Sequence, residues 1–108
     1  MTVKKLNQQS FDTHLEENDV IIVKFSAAWC GPCKAMEPML DELSKEFNNI
    51  SFVEIDVEES PSLATQFNVR ALPTLISWKN GEVQWSKIGM PNLTDLKKDL
   101  SKLLENDI

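Results

Sequence analysis

Glycine, proline and cysteine are scarce in this chain of 108 residues, which has three glycines, five prolines and two cysteines. So few glycines and prolines exclude collagen-like and low-complexity sequences, and hydrophobic residues make up 42% of the chain, as in ordinary globular proteins. The cysteines are too few for the disulfide framework of a small secreted domain. The sequence therefore predicts a single domain, residues 1–108, with its own hydrophobic core.

Long apolar runs and an excess of positive charge are also absent. The strongest apolar stretch, Val20–Trp29, contains Lys24 and is about half a membrane span in length. The N-terminal segment before it has no apolar run of signal-peptide length. Eleven Lys and Arg against seventeen Asp and Glu give a formal charge of −6, which would repel a phosphate backbone. We expect a cytoplasmic protein that binds neither nucleic acid nor membranes.

The spacing of apolar residues changes several times along the chain and predicts alternating strands and helices. The predicted strands are residues 3–6, 20–25, 51–57, 74–79 and 82–88. The last two are joined by Asn80-Gly81, a dipeptide that favours a two-residue hairpin turn. Strands that alternate with helices and then close on a hairpin predict an α/β fold. Its central mixed sheet of about five strands is flanked on both faces by about four helices.

Helices are predicted between and after these strands. Ser10 is the predicted N-cap of the first, Ser60 before Pro61 opens the third, and Asn92 caps the last. The second helix is the longest, and its apolar residues follow helical spacing: Met36, Met39, Leu40, Leu43 and Phe47. Pro38 lies inside this helix and removes one of its hydrogen bonds, so a kink is expected there.

The most informative segment is Trp29-Cys30-Gly31-Pro32-Cys33, where a β-branched strand gives way to the long helix. Cys30 lies at the start of the helix and Cys33 one turn inside, a spacing that brings the two sulfurs within disulfide reach. The unpaired N–H groups and the positive end of the helix dipole favour an anion at Cys30. We therefore expect dithiol–disulfide exchange, with Cys30 as the attacking thiolate and Cys33 as the resolving thiol.

Two other interpretations of the cysteine pair are possible. A zinc site needs four ligands, and the only histidine, His14, lies on another predicted element. An inert structural disulfide, or two buried thiols, fits the helix-start position and a reducing compartment less well. The sequence has no phosphate loop and no cofactor fingerprint. We expect neither a cofactor nor a metal.

The segment Phe25–Lys34 resembles the active-site segment of thioredoxins, and the resemblance continues over nearly the whole chain. Further matching groups are Glu37-Pro38, Asp56-Val57, Val69-Arg70-Ala71-Leu72-Pro73-Thr74, Lys79-Asn80-Gly81-Glu82-Val83 and Lys87-Ile88-Gly89. A C-x-x-C alone is a weak motif, but W-C-G-P-C with a later Pro-Thr and a K-x-G hairpin is very specific. The resemblance implies the thioredoxin fold and a protein-disulfide reductase that a thioredoxin reductase recharges.

The resemblance also implies roles for individual residues. Pro73 matches the family's cis-proline, which lies beside the cysteine pair and offers backbone to a bound peptide strand. The positions that match the family's shallow apolar substrate surface, together with the residue after the cis-proline, are Trp29, Gly31, Pro32, Leu72, Thr74, Gly89 and Met90. Scattered exposed apolar residues, which are normal on any protein, are the alternative for this surface. Trp78 and Trp85 are expected in the core or on a sheet face.

The resemblance favours a reductase over two other functions. Disulfide oxidases and isomerases usually have His between the cysteines, where this chain has Gly31-Pro32, and that dipeptide is expected to tune the redox potential. A binding module would use the same scaffold to hold a partner, with incidental thiols. We expect a monomer that receives electrons from a thioredoxin reductase and recognises extended segments of disulfide-containing proteins near Pro73.

One position departs from the family pattern. Most thioredoxins have a buried Asp, five residues before the Trp of the motif, that takes and returns the proton of the second cysteine, and here that residue is Lys24. A buried lysine would pair with Glu54 or Asp56 of the neighbouring strand. If neutral, it would act as a base; if charged, it would favour the Cys33 thiolate. The alternative is a Lys24 that extends into solvent and has no chemical role.

Overall fold

The computed structural model describes residues 3–105. Strands and helices alternate along them and end in a hairpin and a last helix, as the apolar spacing predicts. The elements are β1 (Val3–Leu6), α1 (Gln8–Glu17), β2 (Val20–Ser26), α2 (Gly31–Glu46), β3 (Ser51–Asp56), α3 (Pro61–Gln66), β4 (Thr74–Lys79), β5 (Glu82–Ile88) and α4 (Leu93–Leu103).

The sheet has the strand order β1-β3-β2-β4-β5. β3 runs parallel to β1 and β2, whereas β4 runs antiparallel to β2 and β5. Every residue of β2 is buried, which is why its sequence is a nearly continuous apolar run instead of an alternating one. The predicted mixed sheet of five strands is confirmed.

Each face of the sheet carries its own hydrophobic core. Alternate side chains of β2 point to opposite faces, so Ile22 packs with α2 and α4 while Val23 and Phe25 pack with α1 and α3. Met36 and Leu40 are buried in the first core, with Met39 partly buried at its edge. The predicted helices on both faces of the sheet are therefore confirmed.

The first helix begins earlier than predicted, and Ser10 is not its N-cap. Asn7 caps α1, because its side-chain oxygen accepts hydrogen bonds from the N–H groups of Gln9 and Ser10, each 3.0 Å long. The Ser10 hydroxyl returns the contact by accepting from the Asn7 N–H at 3.0 Å. The two residues form a capping box in which Ser10 takes the third helical position.

The other predicted helix starts are confirmed in position. Asn92 caps α4 by accepting a hydrogen bond from the Asp95 N–H at 3.0 Å. Ser60 precedes α3, but its side chain does not cap that helix, since its hydroxyl accepts from the Gln8 N–H at 3.1 Å. Ser60 therefore ties the start of α3 to the start of α1. α2 runs unbroken past Pro38, and the kink there stays a prediction.

His14, the single histidine, lies in α1 and is nearly buried, with its Nε2 2.8 Å from the Ser51 hydroxyl. Burial lowers the pKa of His14 below its usual value of 6.5; Lys4 lowers it further and Glu17 partly opposes both. The folded protein therefore keeps His14 neutral at a pH where the unfolded chain takes up a proton.

The free energy of unfolding should consequently include a contribution from His14 that is complete above about pH 6.5 and is lost as the pH falls below it. Urea unfolding of the wild type and of His14→Gln at a series of pH values measures this contribution as the difference between the two curves. The difference should change across that range, since the carboxylates common to both proteins cancel. Parallel curves would contradict the prediction.

Candidate redox site

The two cysteines lie at the N-terminus of α2 and are joined by a disulfide, with their Cα atoms 5.3 Å apart. Cys30 is the N-cap residue, and its sulfur accepts a hydrogen bond from the Cys33 N–H at 3.2 Å. Pro32 occupies the first turn, where a missing N–H costs nothing. The sulfur of Cys30 thus faces the end of the helix that favours negative charge.

The cysteine pair rests on a small apolar cluster at the carboxyl end of β2. Cys30 and Cys33 are buried beside Ala27, and Val57 and Leu72 pack against them. The loop before the helix is fixed by a hydrogen bond from the Cys30 N–H to the Ala27 carbonyl at 3.1 Å. These apolar side chains shield the inner side of the disulfide from water.

The turn before β4 brings Leu72 and Pro73 to the same end of the sheet. The Leu72–Pro73 peptide bond is cis. The Pro73 carbonyl accepts a hydrogen bond from the Gly89 N–H at 2.9 Å, which joins this turn to the end of β5. Gly89 has a φ of +80°, a conformation that a residue with a Cβ rarely adopts. Thr74 is buried, and its hydroxyl donates to the Ala71 carbonyl at 2.6 Å, so this side chain stabilises the turn.

Large apolar side chains are exposed near this end of the molecule. Trp29 is 68% exposed and Met90 is 53% exposed. Beside Trp29 an open groove of about 450 Å³ runs between the turn before β4 and α3, with Arg70 at its wall. The residues that line it are Trp29, Val57, Pro61, Ala64, Thr65, Val69, Arg70, Ala71 and Leu72. The α3 side of this groove is not predicted from the sequence, because small residues at a short helix carry no signal of their own.

Lys24 is 1% exposed, so the alternative in which it extends into solvent is wrong. Its Nζ lies 2.7 Å from the Glu54 carboxylate and donates to the Cys33 carbonyl at 3.2 Å. Glu54 is therefore the partner, because the parallel register places it directly opposite Lys24. Asp56, the other candidate, is opposite Ser26 and accepts hydrogen bonds from the N–H groups that follow it in the chain.

Two further properties concern the part of the chain that the structure describes, residues 3–105. Within it, no group of three or more His, Cys, Asp and Glu side chains is placed to hold a metal ion. None of its helices combines the length and the apolar character that crossing a membrane requires.

The model of the family described as Thioredoxin matches residues 2–102. Thioredoxin H2 from Arabidopsis thaliana is 41% identical over 96 residues, which are 89% of this chain and 71% of the relative. Thioredoxin from Rickettsia felis is 33% identical, over 90% of this chain and 94% of the relative. The chloroplastic Thioredoxin M-type from Spinacia oleracea is 38% identical over 94% of this chain, which spans only 58% of that relative.

Solved structures agree with this family match. Mitochondrial thioredoxin 3 from Saccharomyces cerevisiae, in its oxidized form, superposes with a TM-score of 0.84 at 38% identity, covering 93% of this chain and 94% of the other. Thioredoxin NaTrxh from Nicotiana alata gives a TM-score of 0.88 at 33% identity, covering 96% and 94%. The predicted thioredoxin fold is confirmed. The chain belongs to the thioredoxin family of disulfide oxidoreductases, and Cys30 and Cys33 form its pair for dithiol–disulfide exchange.

Proposed function

We propose that this protein is a general reductase of protein disulfides, with Cys30 as the nucleophile and Cys33 as the resolving residue. The observation that carries the proposal is the position of Cys30 as the N-cap of α2, where its sulfur accepts the Cys33 N–H. A thiolate at that position is stabilised by the helix N-terminus and is the attacking form of the thiol. The neighbouring Cys33 is held within bonding distance for the second step.

The reaction runs in two exchanges. The Cys30 thiolate attacks one sulfur of the substrate disulfide, and the other substrate sulfur leaves as a thiolate that takes a proton. Cys33 then loses its proton and attacks the Cys30 sulfur, which breaks the mixed disulfide and releases the second substrate thiol. The products are a reduced substrate and the Cys30–Cys33 disulfide. A thioredoxin reductase returns two electrons and two protons to this disulfide.

The substrate is proposed to bind as an extended segment against the turn that contains Pro73. Trp29 and Met90 supply exposed apolar surface at this end of the sheet, and Leu72 packs directly against the cysteine pair. Gly89 is held beside Pro73 by a backbone hydrogen bond, which leaves space for a peptide to approach. Thr74 contributes by fixing the turn. Such a shallow surface suits many substrates, because hydrogen bonds to the substrate backbone depend little on the substrate's side chains.

The chemistry of the cysteine loop supports reduction over oxidation. Gly31 and Pro32 carry no ionisable group between the two sulfurs, so no cation within this dipeptide stabilises a thiolate of the reduced form. We propose that this dipeptide sets a reducing potential. This exchange needs no cofactor or metal, since the electrons move between sulfur atoms alone.

We also propose the partners, the oligomeric state and the compartment in which the protein acts. A net charge of −6 disfavours binding to nucleic acid or to anionic membrane surfaces. We propose a monomeric electron carrier, one domain over residues 1–108, that maintains the redox state of protein thiols in the cytoplasm. Relatives named as chloroplastic and mitochondrial show that family members work in several compartments.

The reduction potential of the Cys30–Cys33 couple tests this function. Equilibration with a dithiol buffer of known potential at neutral pH should give a value near about −270 mV. A reducing couple of this kind should also turn over a disulfide-bonded protein with a dithiol as electron source. A value above about −200 mV would indicate an oxidase or isomerase, and the absence of a reversible couple would leave only a binding module.

A further inference from the structure

Lys24 lies in the interior and is surrounded by oxygen atoms. Its Nζ is 2.7 Å from Glu54 Oε1, 3.2 Å from the Cys33 carbonyl oxygen and 3.9 Å from Glu37 Oε1. Two of these oxygens are within hydrogen-bond distance, and the third belongs to a carboxylate farther away; all three are acceptors or anions, which are the partners that an ammonium group takes. The surroundings of Lys24 therefore fit the charged form and argue against its use as a base.

The two carboxylates differ in their access to water. Glu54 is 16% exposed and Glu37 is 57% exposed at the side chain. Both line a cavity of about 230 Å³ between α2 and the strands, and the other charged groups that face it are Lys5 of β1 and Asp41 of α2. The uncharged Leu75 of β4 lies opposite Lys24 on the remaining side. The carboxylates are therefore the members of this cluster nearer to solvent, and Lys24 is its buried member.

The hydrogen bond to the Cys33 carbonyl attaches this cation to the peptide unit of the resolving cysteine. Lys24 and Cys33 are both almost fully buried, at 1% and 2% exposure, so the solvent screens a charge there only weakly. A positive charge nearby favours the thiolate over the thiol. The second exchange requires the thiolate of Cys33, and this thiolate has to form at a buried position.

On the basis of the two-step exchange described above, we propose that Lys24 is a positioning residue whose positive charge, held against the Cys33 carbonyl by a hydrogen bond, stabilises the Cys33 thiolate. Glu54 and Glu37 act as its counterions and do not accept the proton. Cys33 gives its proton to water, and its sulfur forms the bond to Cys30. The bond from Cys30 to the substrate breaks, and the substrate sulfur leaves with the electron pair and then takes a proton. The buried acid of the family is thus replaced by a buried cation.

The first test measures Cys33 alone, in a Cys30→Ser protein, by following the ultraviolet absorbance of the thiolate against pH. Lys24→Met removes the charge while keeping an unbranched side chain, and it should raise the midpoint of thiolate formation by about one pH unit. Glu54→Gln keeps the cation and removes a counterion, so the midpoint should stay or fall. An unchanged midpoint in Lys24→Met would overturn the proposal.

The second test follows the resolving step with both cysteines present, by rapid mixing of a preformed mixed disulfide. At neutral pH Lys24→Met should slow release of the substrate by about three- to fourfold, because about tenfold less thiolate is partly offset by its higher nucleophilicity, and the rate should reach that of the wild type as the pH is raised. Glu54→Gln and Glu37→Gln should resolve as fast as the wild type or faster. A tenfold loss in either Glu variant would overturn the proposal, because it would make that carboxylate the proton acceptor.

Two controls separate the role of Lys24 from a loss of folding and from a failure of the proposed function. If Lys24→Met alone fails to fold, Lys24→Met/Glu54→Gln removes both charges and should still show the raised midpoint; an unchanged midpoint in it overturns the proposal. The thiolate titration involves neither substrate nor reductase. A shifted midpoint in a protein that reduces no disulfides would therefore contradict the proposed function alone, and an unshifted midpoint in an active reductase would contradict the role of Lys24 alone.

Discussion

Replacing Cys33 with serine should stop turnover and leave the protein joined to its substrate by a mixed disulfide. Cys30 keeps its position at the N-terminus of α2 and still attacks substrate disulfides, but no second thiol releases the product. Turnover should fall by a thousandfold or more, since an intramolecular thiol acts at an effective concentration of about 10⁵ M or above. Mass spectrometry after mixing with an oxidised protein should show covalent adducts at Cys30 in nearly stoichiometric yield.

The matched control is Cys30→Ser. Its remaining thiol, Cys33, lies inside α2 instead of at the N-cap, so its thiolate lacks the stabilisation that the helix N-terminus gives Cys30, and this variant should form few adducts although it loses as much turnover. The asymmetry between the two variants assigns the order of attack. Equal yields of adducts would contradict Cys30 as the nucleophile, and unchanged function in Cys33→Ser would favour a binding module with incidental thiols.

The cysteine loop and the hairpin could be predicted from the sequence because both depend on local rules. Cys30 and Cys33 are close for the reason that residues three apart on a helix are neighbours, whatever the rest of the fold does. Asn80 and Gly81 have φ angles of 52° and 83°, as a primed hairpin turn requires, and they place β5 beside β4. In both cases the geometry follows from a few consecutive residues.

The partner of Lys24 could not be predicted in the same way. Glu54 and Asp56 are two residues apart on one strand and so lie on the same face, and the parallel register that selects Glu54 depends on the packing of β1, β2 and β3 together. The start of α1 presented a similar ambiguity, since Asn7 and Ser10 are both good N-caps and only the contact geometry decides between them. Sequence reasoning could not resolve these two points, because one depends on strand register and the other on a choice between two residues that cap helices equally well.

The neighbours of Trp78 in the core could not be predicted from the sequence either. The sequence predicts a core or sheet-face position for it, and the structure buries it at 2% exposure against Phe11 and Phe67. The three rings contact one another edge to face, with centroids 4.9 to 5.6 Å apart. They come from α1, β4 and the residue after α3, so this cluster joins elements that are far apart in the sequence. It contains the largest fully buried side chain of the described residues.

Trp78→Ala should therefore lower the free energy of unfolding by about 3–5 kcal/mol, a large part of the 5–15 kcal/mol typical of a domain. The loss combines the buried apolar area of the ring with a cavity that the flanking strands cannot close. Val83→Ala is the control: Val83 pairs with Trp78 across the hairpin but is 49% exposed, so its change should stay within about 0.5 kcal/mol. Guanidinium unfolding of the oxidised proteins measures both. A loss below about 1 kcal/mol in Trp78→Ala, or equal losses in the two variants, would mean that the aromatic cluster does not hold α1 and α3 against the sheet.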